Sequence, residues 1–330
     1  MKNIEIVGID VSKKTLDIHL LSEKKSFTVN NGPNGFFHLI QTCAECYHDL
    51  SDVLFCFEET GRYSKLLSIF LYDAGYKFTA LNALDLKRSL GLTRGKTDKK
   101  DACVIAQYAW RKRDELSPTI LPSAIMDQLK SLLSLREMLV KHRTAYKNAS
   151  QDLHDCYFDG EYDFIKESHN RSIENLNQEL KKVEEQLLHI IHKNPALLLN
   201  YNLLLSVKGI GKVLAIYLIT LTENFTKFSN PKKFACYAGI APFPYTSGTS
   251  IKGRTRLHHC ANKQIKSLLN VAAMSAIQQK GEYKSYFIRR TEEGKNKMST
   301  LNIIRNKIVY RAFAIVKRKT NYIDISKFAA

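Results

Sequence analysis

The chain of 330 residues has no uninterrupted apolar run of the roughly 18 residues needed to span a bilayer. Its first residues pass straight into a strand-like alternation, without a basic stretch leading into an apolar one. These two absences predict a soluble, cytoplasmic protein with no membrane partner. Seven cysteines, an odd number at irregular spacing in a long chain, do not suggest a disulfide framework. Cys43 and Cys46 have the spacing of half a zinc site, but no second pair accompanies them and the segment around them is helix-like, so zinc is not expected there. Acidic residues are also scarce, 32 Asp and Glu against 50 Lys and Arg, which leaves a net charge of +18 and a pI near 9.5. Such an excess favours a polyanionic partner. It is concentrated: Ile251 to Thr320 holds 17 Lys and Arg against 3 Asp and Glu, +14 of the +18.

The 44% hydrophobic content is enough for real cores, and the length suits two domains and a connector. Residues 1–118 alternate short strands and helices. Ile4 to Asp10, Thr15 to Leu21 and Lys25 to Val29 read as an antiparallel meander, joined first by the polar turn Ser12-Lys13-Lys14. A helix over Phe36 to Tyr47, a strand over Val53 to Glu58, a helix after Tyr63 and a strand around Phe78 to Leu81 follow. That order is expected of an α/β domain of the ribonuclease-H-like kind, and it also fits other mixed sheets. Residues 119–195 read as a helical coiled-coil spacer. Ile173, Leu176, Leu180, Val183, Leu187 and Ile190 form one seam. Ile125, Leu129, Leu132, Leu135 and Leu139 form a second, available either as an antiparallel partner across a loop near Asp159-Gly160 or to a second subunit. Residues 196–330 form a basic, mostly helical last domain. Within it Gly209-Ile210-Gly211 resembles a helix-hairpin-helix turn whose exposed N–H groups, flanked by Lys208 and Lys212, suit a phosphate; the plain alternative is a turn that lets helices pack closely.

Four carboxylates carry the chemistry of the first domain. Asp10 and Glu58 each follow an apolar strand, so on neighbouring strands they would converge at one sheet edge. Asp98 and Asp101, after the basic loop Arg94 to Thr97, open a helix and share one of its faces. Each acid alone has an ordinary reading as a turn former or helix cap. Together they offer enough oxygen ligands for one or two Mg²⁺ ions of the kind that assist phosphoryl displacement.

These residues resemble a known family. Asp10, the run Glu58-Glu59-Thr60-Gly61-Arg62-Tyr63 and the run Lys96 to Ala102 are similar to the RuvC-like DEDD domain of insertion-sequence transposases that use a bridge RNA and a serine recombination step, relatives of the Piv DNA invertases. Ala238-Gly239-Ile240-Ala241-Pro242, then Thr246-Ser247-Gly248-Thr249-Ser250 and Lys252-Gly253-Arg254, resemble the family's carboxy-terminal motif. The resemblance implies a metal-binding tetrad of Asp10, Glu58, Asp98 and Asp101, a Ser247 nucleophile, a phosphoserine–DNA intermediate at a composite site, donor and target DNA and a bridge RNA as partners, and a homo-oligomer.

Chemistry supports Ser247 to a degree. A serine in a Gly/Thr/Ser loop can approach a phosphate, and Lys252, Arg254 and Arg256 could neutralise the charge. Hydroxyl-rich loops are also common surface features, and Ser250 is a substitute three positions on. Where many relatives read Ile-Ser-Lys-x-Gly-Asn, this chain has Leu257-His258-His259-Cys260-Ala261-Asn262. The adjacent His258, His259 and Cys260 point in different directions and are not expected to share a metal. Tyr283, Tyr286 and Phe287 among Lys284, Arg289 and Arg290 suit base stacking or core anchoring equally. Two alternatives accompany recombination: a junction-resolvase-like nuclease using water, and a nucleic-acid-binding scaffold without catalysis.

Overall fold

The computed structural model describes residues 4–89, 98–156, 162–247, 251–257 and 261–324; the side chains at 98–99, 153–156, 244–247 and 251–257 lie outside that description. Contacts divide the chain into two compact units, Met1–Leu121 and Pro122–Ala330.

Unit 1 opens with the expected meander, β1 (Glu5–Val11), β2 (Thr15–Leu20) and β3 (Lys25–Asn30). The first turn closes on itself, because the Ser12 hydroxyl and N–H both donate to the Thr15 carbonyl, at 2.9 and 3.0 Å. Helix α1 (Pro33–Cys46) starts with a proline where no N–H is needed. Then come β4 (Val53–Glu58), α2 (Arg62–Asp73), β5 (Lys77–Leu81), α3 (Ala83–Ser89) and α4 (Asp98–Arg111). The sheet order is β3-β2-β1-β4-β5, antiparallel across the first three strands and parallel from β1 through β5. The parallel pairs require crossovers, which α1 and α2 supply.

Strand alternation separates two cores. Val7, Ile9, Val11, Phe55 and Phe57 face α1 and α2 with Phe36, Leu39, Leu67 and Leu71. Ile6, Leu54 and Cys56 face the other way, onto Leu86 of α3 and Ile105, Ala106 and Ala109 of α4. A Cβ at Gly8 would lie 2.3 Å from the Ala102 carbonyl oxygen and 2.6 Å from the Ala106 nitrogen, so the absent side chain is what lets α4 lie against β1. Cys43 is buried in the first core, where desolvation pushes its thiol up to about 12.

Unit 2 begins with two long antiparallel helices, α5 (Ala124–Cys156) and α6 (Asp163–Lys193). Arg136 Nε meets Glu184 Oε1 at 2.7 Å, Arg143 donates to Asn177 at 3.1 Å, and the Tyr146 and His169 rings lie 5.6 Å apart. The partner of α6 is therefore α5 of the same chain; the loop around Asp159-Gly160 lies outside the described residues. On α6, Leu180, Val183, Leu187 and Ile190 are buried as expected. On α5 the expected Leu129 is buried and Ile125, Leu132 and Leu139 pack partly buried against the same core, but Met126 and Leu133 are buried beside them and Leu135 is 38% exposed. An undistorted helix advances 3.6 residues per turn, so a stripe projected at fixed spacing drifts off the contact line.

The near end of this pair shares one core with everything that follows: α7 (Pro195–Leu205), α8 (Lys212–Leu221), α9 (Pro231–Tyr237), α10 (Lys263–Gln278), α11 (Glu282–Glu292) and α12 (Lys297–Arg318). Asn194, Asn230, Asn262 and Asn296 cap four of these helices by accepting a backbone N–H in the first turn. The domain is not helical throughout. Between α9 and α10 stands an antiparallel hairpin, β6 (Pro242–Ser247) and β7 (Ile251–Leu257), where the hydroxyl and glycine content reads as loop.

Candidate functional site

The acids of unit 1 sit on three elements around one face of the sheet. Glu58 shares its strand face with Leu54 and Cys56, and Asp10 shares its face with Ile6 and Gly8, so both belong to the α4 side. Each lies one residue beyond the Ile9–Phe57 pair of adjoining parallel strands, and both are half-buried. Asp101, also half-buried, lies next to the Ala102–Ile105–Ala109 stripe by which α4 packs. Asp98 begins α4, but its side chain is outside the described residues, as is the loop from Arg94 to Thr97. Among the described residues no three His, Cys, Asp or Glu side chains gather closely enough to hold a metal.

One acid escaped the sequence reading. Asp17 is paired directly with Asp10 across β1 and β2, is 8% exposed, and accepts a 2.6 Å hydrogen bond from the Thr28 hydroxyl. Two residues on, His19 is also buried; its Nδ1 lies 2.7 Å from the Ser26 hydroxyl and desolvation holds its pKa below the usual value. Strand register was the available signal. A turn at Ser12 to Thr15 forces Asp10 opposite Asp17.

In unit 2, Ser247 is the last residue of β6, opposite Ile251, and Lys252, Arg254 and Arg256 occupy alternate positions of β7. Ser250, His258, His259 and Cys260 lie outside the described residues. The feet of the hairpin are well defined. The Ile240 carbonyl accepts from the side-chain amides of Asn302 and Asn306 on α12, at 2.9 and 3.0 Å. Gly239 has φ +65°, and a Cβ there would strike the Ala261 Cβ at 2.2 Å. The Asn262 N–H donates to the Tyr237 carbonyl at 3.0 Å.

The two glycines of the α7–α8 turn differ. Gly209 has φ +89° and sits against α10, where a Cβ would meet the Ala272 carbonyl oxygen at 2.5 Å; Gly211 faces open space at the start of α8. Lys208 turns its ammonium to Asp324 and to the Lys280 carbonyl, so the structure gives it a protein partner where the sequence reading has a phosphate. Lys212 is exposed. Tyr283 is buried in the core, whereas Tyr286 is flanked by Lys307 Nζ at 3.7 Å and the Arg289 guanidinium at 5.6 Å from its ring centre.

No described helix is long and apolar enough to cross a membrane. Residues 7–158 match the profile of an IS110-type DEDD transposase domain, and residues 201–287 match that of the transposase IS116/IS110/IS902 family. Over 324 residues the chain is 26% identical to the pilin gene-inverting proteins of Moraxella lacunata and Moraxella bovis, covering 94% of this chain and 95% of each relative. It is 24% identical over 163 residues to an uncharacterised 43.6 kDa protein of insertion element IS110 from Streptomyces coelicolor, 49% of this chain and 39% of that one. With an amino-terminal and a carboxy-terminal transposase domain that between them cover most of its length, the chain belongs to the IS110 family of DNA-recombining transposases.

Proposed function

We propose that the protein cleaves and rejoins DNA strands through a covalent phosphoserine intermediate, using the acids of unit 1 and the serine of unit 2 at a composite site. The observation that carries this reading is the pairing of Asp10 and Glu58 on one sheet face beneath α4 with a separate hairpin that ends on Ser247. The strand order β3-β2-β1-β4-β5 supports a ribonuclease-H-like, RuvC-like identity for unit 1.

Carboxylate oxygens suit a hard divalent cation such as Mg²⁺. Asp10, Glu58, Asp98 and Asp101 would hold it, and when bound it would supply charge stabilisation at a phosphate. The chain's own part is the transfer itself. The Ser247 Oγ forms a bond to phosphorus as the bond from phosphorus to a deoxyribose oxygen breaks, the hydroxyl proton passes to a base, and the released oxygen takes up a proton. Lys252, Arg254 and Arg256, with Lys212, neutralise phosphate charge. The phosphodiester energy is kept in the Ser247 ester, so rejoining to a new strand needs no external energy source. A bridge RNA would select the DNA sequences, and a homo-oligomer would bring unit 1 of one copy to unit 2 of another.

The test is purified protein with Mg²⁺, flanking non-coding RNA and labelled donor and target DNA, resolved under denaturing conditions. A protein–DNA adduct that is lost in Ser247→Ala and in Asp10→Asn is the expected result. Cleavage without an adduct, intact in Ser247→Ala and abolished by Asp10→Asn, would replace recombination with hydrolysis by a nuclease.

A further inference from the structure

Unit 2 contains an open cleft of about 590 Å³ that shares no lining residue with the Ser247 hairpin. Its walls come from the segment after α8 and from the end of α12, and its backbone is unusual. Glu223, Asn224 and Phe225 are successive non-glycine residues in the left-handed region, with φ of 49°, 56° and 68°, and Lys319 across the cleft is a fourth at 57°. A bulky residue such as phenylalanine rarely adopts that conformation, and strain of this kind persists where surrounding bonds enforce it. Here they do. The Asn224 N–H donates to the Ile219 carbonyl at 2.8 Å, the Phe225 N–H to the Thr222 hydroxyl at 2.9 Å and the Lys227 N–H to the Thr222 carbonyl at 3.0 Å.

The strained turn sets the Phe225 ring edge-on to Phe313, with centres 4.9 Å apart. Tyr310, 40% exposed, lines the same cleft one helical turn before Phe313. Between the walls runs a chain of hydrogen bonds through side-chain amides. Lys319 Nζ donates to the oxygen of the buried Asn200 at 3.1 Å, and Asn200 donates in turn to Asn224 Oδ1 at 2.7 Å. Lys317, exposed, completes the lining on the same side as Lys319. Glu223, the acid of the strained turn, lies 3.4 Å from Lys227, so its charge is locally offset.

Aromatic faces, two ammonium groups and an amide edge are the three contacts an unpaired nucleotide needs for its base plane, its phosphate and its base edge. An apolar ligand would have no use for the lysines, and a simple anion none for the rings. The volume falls within the range of small-molecule pockets, roughly 300–1,000 Å³, and stacked bases inside a duplex cannot enter it. We infer that this cleft binds one unpaired nucleotide, its base against Tyr310 and the Phe225–Phe313 pair and its phosphate on Lys317 and Lys319. The site rests on the reading that the protein handles nucleic acid and is independent of the serine chemistry.

The experiment uses the full chain without Mg²⁺ and short iodouridine-substituted strands, as single-stranded RNA, single-stranded DNA and the corresponding duplexes. Photocrosslinks are mapped by mass spectrometry, and affinities are measured by fluorescence anisotropy for the wild type, Tyr310→Ala and Lys317→Ala. Both cleft variants replace exposed side chains, so folding is not at issue. Crosslinks from single strands to the peptides holding Phe225 or Tyr310 support the site, with RNA-only or DNA-only labelling naming the strand that uses it. Tyr310→Ala is expected to weaken single-strand binding about tenfold, and Lys317→Ala to lower the salt dependence by about one phosphate contact. Crosslinks confined to other peptides, or wild-type affinity in both cleft variants, would overturn it. An adduct in the covalent-trapping test alongside either of those failures would leave the recombinase reading standing while removing this site.

Discussion

The acids and the serine stand on opposite kinds of scaffold. Asp10, one residue before the end of β1, and Glu58, the last of β4, lie on adjoining strands of a five-stranded sheet covered by helices on both faces, so their backbones are held by a core on each side. Ser247 ends a two-stranded ribbon with no third strand among the described residues, an arrangement that is marginal in isolation. Its placement depends on a few bonds at its feet, around Gly239, Ile240 and Asn262. Damage should therefore travel differently in the two units: through packing in unit 1, through single hydrogen bonds and ion pairs in unit 2.

The strongest way to break that contrast is Gly8→Val. The new side chain cannot avoid the α4 backbone at 2.3 and 2.6 Å, so the helix carrying Asp101 must move. The expected cost is about 3 kcal/mol from overpacking, with a fall of about a hundredfold or more in metal-dependent strand cleavage, since a displacement near 1 Å has that effect on catalytic geometry. Trp110, the single tryptophan, lies on α4 and reports unfolding of unit 1 by its fluorescence. Wild-type cleavage in a stably folded Gly8→Val protein would show that α4 does not set the acids' positions.

Lys208→Met probes unit 2 in the same manner. Asp324, its side chain 3% exposed, would lose its ammonium. A fully buried pair broken on one side costs about 3–5 kcal/mol, and because Lys208 keeps 20% exposure the expectation here is about 2 kcal/mol. Hydrogen exchange at α7 and α11 should rise while Trp110 fluorescence stays unchanged. If Lys208 instead contacted phosphate, the salt dependence of DNA binding would fall and stability would not.

What was legible in the sequence follows the same division. The five strands of unit 1 lie within a residue or two of their expected bounds, because one-sided apolar alternation and a tight Ser12–Thr15 turn leave little choice of register. Asp17 was missed because its meaning lies in a cross-strand pairing with Asp10, seven positions away. In unit 2 the α6 seam was readable, but the buried face of α5 also depends on α8 and the core beyond it, which no single-helix periodicity contains. The hairpin hid behind its own composition, since glycine, serine and threonine serve loops and edge ribbons alike. Lys208 beside two glycines reads as a phosphate contact; its ion-pair partner Asp324, 116 residues distant, has no local signal in the sequence.

A smaller effect is expected at the hairpin's foot. Replacing both Asn302 and Asn306 by alanine strips the Ile240 carbonyl of two donors, a loss of about 1–2 kcal/mol for an unsatisfied buried acceptor. Adduct formation at Ser247 should slow, whereas binding of Mn²⁺ as a probe of the unit 1 acids should not change. Equal losses in both measurements would mean that the two units do not respond separately.

The smallest effect should appear in unit 1 as a dependence on pH. His19 is held below its ordinary value of 6.5 by burial, so its neutral form is favoured in the folded protein. Above 6.5 both folded and unfolded chains carry it neutral and it contributes no slope. Below 6.5 the unfolded chain takes up a proton that the folded site resists, and stability declines as pH falls. The contribution is expected to be about 1 kcal/mol or less at pH 5. The denaturation midpoint followed through Trp110 should drop less on acidification in His19→Asn, which has no ionisable group, than in the wild type. Identical acid slopes in the two proteins would show that His19 is not the source of the decline.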